Sequence, residues 1–355
     1  MEPTDIKSQS LEELKETVEA LGEKPFRAKQ LYEWMHVKLA ESYDDMTNLS
    51  RTFREKLKES CVLTTLTALD VQTSRIDGTQ KYLFALHDGN VVESVLMRYK
   101  HGNSVCISSQ VGCKMGCRFC ASTIGGWTRN LTPAEMLEQI YRIQKNSGER
   151  VSNVVVMGTG EPLDNYDTLL RFIHMISDDN GLHISQRNIT VSTCGIVPKM
   201  EALAEEKLQI TLALSLHASS QEKREGLMPI AKKYTISQVL EACRNYYEKT
   251  GRRITFEYAL VGGENDSQED AKHLAELIKG LNCHVNLIPV NPIKERSYVR
   301  SDKKVIGNFQ NKLEKYQINV TIRREMGRDI GGACGQLRRS YKEASAVPQC
   351  TEGEG

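Results

Sequence analysis

Between about residues 104 and 325 the chain alternates between short β-rich runs and segments of helical spacing. The runs are NSVCISS, SNVVVMG, NITVST, QITLALSLH, RITFEYALV, HVNLIPV and NVTIRR. Between them lie TPAEMLEQIYRIQKN, YDTLLRFIHMISDD, TISQVLEACRNYYEKTG and SQEDAKHLAELIKGL, with apolar residues three and four apart. Such alternation demands a mostly parallel sheet with right-handed crossovers. Six strand–helix units predict an α/β fold, as an open doubly wound sheet or a partial (β/α)6 barrel. In both, functional side chains belong at the C-terminal ends of the strands. Thr132, Pro133 and Glu135 predict a capped helix start.

The flanks differ. Residues 1–60 read as an N-terminal helical accessory domain. Ser10 and Glu13 form a capping-box signal. KPFRAKQLYEWMHVKLAE places Leu31, Trp34, Met35 and Leu39 at helical spacing, and RTFREKLKES is a basic helix. Such a block can grip RNA or simply pack on the core. Residues 61–100 (TLTALDVQTS, TQKYLFALHDG, NVVESVLMRY) predict a short antiparallel β extension. The core follows at 101–340, and YKEASAVPQCTEGEG predicts a disordered tail over 341–355. No run approaches the roughly 20 apolar residues of a membrane span, and the acidic, polar start lacks secretion-signal features. A cytoplasmic protein is expected. A net charge of +1 argues against coating nucleic acid by bulk charge. Arg252–Arg253, Arg323–Arg324 and Arg338–Arg339 could form a local basic face, though each pair alone reads as ordinary solvated charge.

Ten cysteines in such a chain are not a disulfide framework. Cys61, Cys243 and Cys283 read as small buried hydrophobes and Cys350 as a tail residue. Cys113, Cys117 and Cys120, in GCKMGCRFCAS, are different. Three thiolates so close select zinc or iron–sulfur. A structural zinc site wants four ligands, and no fourth lies nearby in a standard spacing. Three ligands on a four-iron cluster leave one iron open for a substrate. Cys-x3-Cys-x2-Cys with Phe119 before the last cysteine resembles the radical S-adenosylmethionine (SAM) superfamily. The resemblance implies one [4Fe-4S] cluster whose open iron chelates SAM. A zinc knuckle completed from a distance is the alternative.

Other strand ends agree in position. VVMGTGEPL offers Gly158, Gly160 and Glu161, a close backbone approach and a carboxylate for an ammonium group. TVSTCG offers Ser192, LALSLHAS offers Ser215, Leu216 and His217, and NLIPVNP offers Asn291 to read an adenine.

Cys106 in CISSQVGC and Cys334 in GRDIGGACGQLRR complete the pattern. From about residue 80 to 342 these segments are similar to the RlmN family of RNA adenine C2 methyltransferases and to its relative, the Cfr family, which methylates C8. GTGEPLDNYD, LIPVNP and RREMGRDI favour the C2 branch. Gly331–Gly332 depart from the bulkier residues expected there. The resemblance implies two SAM molecules per turnover. One methylates Cys334. The second yields a radical that activates that methyl group for addition to adenine C2. Cys106 then resolves the adduct, leaving a Cys106–Cys334 disulfide that a thiol must reduce. By resemblance Glu93 takes the C2 proton, with Cys106 as a rival. The implied partners are 23S rRNA, tRNA and an external electron donor such as a flavodoxin, with a monomeric enzyme. A radical enzyme of another class, such as a glycyl-radical activator, would need the three cluster cysteines but neither Cys106 nor Cys334.

Overall fold

The computed structural model describes residues 4–293, 295–332 and 335–337. Cys334, the Arg338–Arg339 pair and the tail at 341–355 lie outside the described residues. One ten-stranded sheet organises the chain. Its strands are β1 (Thr67–Thr73), β2 (Gln80–Ala85), β3 (Val91–Tyr99), β4 (Gly102–Ile107), β5 (Val151–Val156), β6 (Ile189–Thr193), β7 (Thr211–Ser215), β8 (Ile254–Leu260), β9 (Cys283–Pro289) and β10 (Val320–Ile322). Spatial order follows chain order from one edge to the other. β1 to β4 pair antiparallel. From β4 to β10 every pairing is parallel. The architecture is therefore the expected α/β partial barrel of seven parallel strands and six crossovers. The antiparallel extension is not a separate sheet. β4 has two edges, and β3 folds back onto one of them through the turn at Lys100 and His101.

Ten helices surround the sheet among the described residues: α1 (Leu11–Ala20), α2 (Phe26–His36), α3 (Arg51–Ser60), α4 (Pro133–Ser147), α5 (Tyr166–Ile176), α6 (Val197–Glu205), α7 (Gln221–Leu227), α8 (Ile236–Thr250), α9 (Gln268–Leu277) and α10 (Lys303–Lys315). α4 begins at the expected capping box of Thr132 and Glu135 and stops at Gly148, whose φ of 69° suits glycine. α1 starts at the Ser10–Glu13 box. Sequence periodicity missed α6, α7 and α10. α6 and α7 are short, and α10 buries only Ile306, Phe309 and Leu313 among many charges.

α1 meets α5 through Glu13 and Arg171, α2 meets α4 through His36 and Tyr141, and α1 to α3 share one hydrophobic core with the sheet, from Ile6 and Leu14 through Ile140 and Phe172. Lys7, fully buried, places Nζ 2.7 Å from Glu138 Oε1 on α4. The second Glu138 oxygen accepts from the Leu66 amide at 3.1 Å. Buried ions need such partners, since an unpaired charge in the interior is costly. No helix is long and apolar enough to cross a membrane among the described residues.

Candidate active site

The parallel strands end around one cleft, which encloses about 990 Å3 of empty space, part of it open to solvent. Cys113, Cys117, Cys120, Gly160, Glu161, Ser192, Ser215, His217 and Asn291 all line it. Nine residues predicted from separate segments thus meet in one place.

The cysteine loop is fixed at its base. Gln110–Gly112 pairs antiparallel with Trp127–Asn130, and the Cys113 amide donates to Gly126 O at 3.0 Å. Gly112 has φ of 76°, and a Cβ there would stand 1.9 Å from Gly126 O, so only glycine fits. Thr123 Oγ1 donates to Cys117 O and Cys120 O. Burial pushes the Cys113 thiol up to about 12 and the Cys117 thiol well above its usual range. A bound cation is what would make such buried sulfurs thiolates. Among the described residues no three His, Cys, Asp or Glu groups converge as a single metal ion requires. The three soft sulfur donors instead share one cleft with the polar strand ends, the donor set an iron–sulfur cluster takes with SAM beside it, so the residues present fit that pair of groups.

Gly160 adopts φ of 113°, and a Cβ there would lie 2.7 Å from both Gln110 Cβ and Ser109 Oγ. At Gly158 a Cβ would strike Ile107 O at 2.7 Å. These glycines let the chain hug the end of β4. Glu161 is buried, its oxygens accepting from the Cys194 amide at 2.8 Å and the Leu163 amide at 3.1 Å. Burial pushes its carboxyl up despite those bonds. Ser192 and Ser215 approach to 3.3 Å. His217 has φ of 56°, and its Nδ1 accepts from the Ala259 amide at 2.9 Å. The neutral ring therefore carries its proton on Nε2. Burial, helped by the Arg224 charge, lowers its pKa to about 3. Leu216 sits behind the wall, with its amide on Glu257 O and its carbonyl on Arg224.

Cys106 lines an adjoining cavity of about 410 Å3 with Val95, Met97, Cys120, Gly158, Arg323, Gly332 and Gly335. The residues flanking Cys334 in sequence thus border the cavity that Cys106 faces. Among the described residues every cysteine is a thiol, none half of a disulfide. Glu93 is only 2% exposed and pairs with Lys81 at 3.3 Å. It is a buried cross-strand carboxylate and not a solvent-facing one. Gly331 has φ of 60°, which explains glycine there; at Gly332 a Cβ would meet nothing closer than 3.5 Å.

Several residues at or behind the cleft wall escaped sequence reading. Arg323, read as solvated charge, lines the cleft with Glu257 at 3.5 Å. Its place just after β10 was the available signal. Cys194 lines the cleft as a fourth thiol. Arg224, at 0% exposure, gives its donors to carbonyls of Cys194, Ser215, Leu216 and Tyr234. Nothing in QEKREGL distinguishes that arginine from a helix-surface charge.

Comparison with known proteins agrees with this geometry. The Radical SAM superfamily model matches residues 107–278. The ribosomal RNA large subunit methyltransferase N-terminal domain model matches residues 4–63. A probable dual-specificity RNA methyltransferase RlmN of Lachnospira eligens is 66% identical over 96% of this chain and 97% of its own length. The same-named protein of Lachnoclostridium phytofermentans is 63% identical over 98% of each chain. A radical SAM methyltransferase structure from Sphaerobacter thermophilus superposes with a TM-score of 0.91 at 42% identity, covering 94% of this chain and 99% of that one. Fold, cleft and relatives converge: the chain belongs to the RlmN family of the radical SAM superfamily.

Proposed function

We propose that this chain is a radical SAM methyltransferase that methylates carbon 2 of an adenine in 23S rRNA and in tRNA. The observation that carries the reading is the pair of adjoining cavities. One is lined by Cys113, Cys117 and Cys120 together with polar strand ends. The other is lined by Cys106 and by the neighbours of Cys334. Cys120, Gly158, Arg323 and Gly335 border both.

Cys113, Cys117 and Cys120 would hold a [4Fe-4S] cluster, and SAM would lie across Gly160, Glu161, Ser192, Ser215, His217 and Asn291. When bound, the two groups supply the electron, the radical chemistry and the methyl carbon. Glu161 offers a carboxyl on the cleft wall that can pair with an ammonium group. His217 offers a fixed Nε2–H, and Asn291 an amide that can pair with an adenine edge. Cys334 is the methyl-carrying thiol, a role argued from the family pattern. Cys106 expels the product by attack on the Cys334 sulfur, and the resulting disulfide is reduced by an external thiol. Glu93, buried beside Lys81, is the proton acceptor. A flavodoxin-like one-electron donor, a monomer and a cytoplasmic setting complete the proposal.

The test is mass spectrometry of adenosine from 23S rRNA and tRNA after anaerobic turnover. C2-methyladenosine in both is expected. C8-methyladenosine would instead make the chain a Cfr-type enzyme, an outcome the RlmN relatives disfavour. A colourless protein with stoichiometric zinc after anaerobic purification would overturn the radical reading altogether.

A further inference from the structure

The turn between β1 and β2 and the segment leading to Cys334 are about as distant in sequence as two parts of the core can be, yet they interlock. Asp329 Oδ1 accepts from Ser74 Oγ at 2.6 Å, and Oδ2 accepts from the Arg75 amide at 2.9 Å. In return Asp77 Oδ2 accepts from the Gly327 amide at 3.0 Å. Asp77 also holds its own turn, since Oδ1 accepts from the Thr79 amide at 3.0 Å. The fit is steric as well. A Cβ on Gly327 would come within 2.9 Å of Thr79 Cγ2. Gly327 and Gly331 both adopt left-handed φ, near 60°, around the short helix Arg328–Ile330. The Gly332 amide closes that turn on Gly327 O at 2.9 Å. Lys81, the partner of Glu93, has its Nζ 3.7 Å from where a Gly331 Cβ would stand.

None of Ser74, Asp77, Thr79 or Asp329 lines the cleft. The turn therefore has no direct part in holding a cluster or SAM. Among the described residues it holds the segment Gly327–Gly332, whose Gly332 borders the Cys106 cavity together with Gly335.

We propose that the β1–β2 turn anchors the Cys334 segment, with Asp77 and Asp329 as positioning residues that set where the methyl-carrying thiol is delivered. The inference rests on reading Cys334 as that thiol. Charge-assisted hydrogen bonds to backbone amides are suited to the task, being short, directional and about twice as strong as neutral ones. A segment pinned at its base can present a side chain reproducibly. Burial raises the Asp77 carboxyl, but hydrogen bonds from Thr79, Gly327 and Ser74 outweigh it. The Asp329 carboxyl is held down first by Ser74, so both stay charged near neutrality.

The test uses cluster-loaded full-length protein carrying Asp77→Ala, Asp329→Ala or Asp329→Asn. Iron and sulfide content and SAM affinity are expected to match wild type within about twofold. Methyl occupancy of Cys334, read by intact mass after incubation with SAM and reductant, is expected to fall at least tenfold in both Ala variants. Deuterium uptake in the peptide spanning 323–332 should rise in parallel. Asp329→Asn keeps one acceptor oxygen and should fall between. Wild-type methyl loading in the Ala variants, or unchanged deuterium uptake, overturns the proposal. So does loss of cluster along with methyl, because the turn would then be a general support of the fold. If wild-type protein itself carries no methyl on Cys334, the thiol's assigned role fails. The exchange measurement still decides the anchor.

Discussion

Arg224 carries its charge with no described carboxylate partner, surrounded by carbonyl oxygens at the ends of β6 and β7 and after α7. Its Nη2 lies 2.7 Å from Cys194 O, on the segment whose amide holds Glu161. Removing the guanidinium leaves buried acceptors unsatisfied, each worth about 1–3 kcal/mol. Arg224→Met is expected to lower stability by about 3 kcal/mol, and Arg224→Lys by less, in urea titrations of the anaerobic protein. Cys106 makes a different test. Cys106→Ala should load methyl onto Cys334 and form the carbon–carbon bond, then stay attached to RNA on a denaturing gel. Normal turnover by that variant would remove its assigned role. The cluster thiols were legible because three cysteines in eight residues have few packing explanations. Arg224 was not, because a lone arginine in a polar helix looks solvated until the strand ends close over it. Glu93 was legible only by resemblance. Its burial depends on Lys81, which β2 brings opposite β3, and no local pattern encodes that pairing.

The loop from Gly112 to Trp127 is the element on which the cluster depends most. Its ribbon closes only because Gly126 O can approach Gly112 so nearly. Gly112→Ala must therefore part the two strands. It is expected to lower iron and sulfide content to less than half of wild type while the circular dichroism of the barrel stays the same. Full cluster content would show that the ribbon tolerates displacement. α4 gives the converse case, an element written clearly in local sequence. Thr132→Ala removes the Glu135 amide's partner at 3.2 Å and should cost about 1 kcal/mol, read as a drop in Tm. Helices with a full apolar stripe and a cap were visible in this way. α10 was hidden by its charge, and the continuity of β3 with β4 depends on a sheet edge that only the assembled fold supplies.

Across the whole molecule, two buried imidazoles couple stability to acidity. His36 donates to or accepts from Tyr141 at 2.9 Å between α2 and α4, and burial lowers its pKa to about 3, as for His217. In the unfolded chain both take protons near 6.5. As pH falls through that value the unfolded state binds protons first, so stability is complete above about pH 6.5 and declines below it. The slope approaches about 1.4 kcal/mol per pH unit for each histidine. Tm should fall between pH 7 and pH 5, and His36→Gln should shed part of that dependence. An equal slope in that variant would assign the acid sensitivity elsewhere. The order of the sheet has a consequence for synthesis. Each strand from β2 to β10 pairs with the one made just before it, so a nascent chain can add them one at a time as it leaves the ribosome. The contact of Asp77 with Gly327 spans 250 residues and is among the last such a chain can make. A truncated product could thus build nearly the whole barrel and still lack the latch behind Cys334, which would leave it able to collect iron but not to begin modifying RNA.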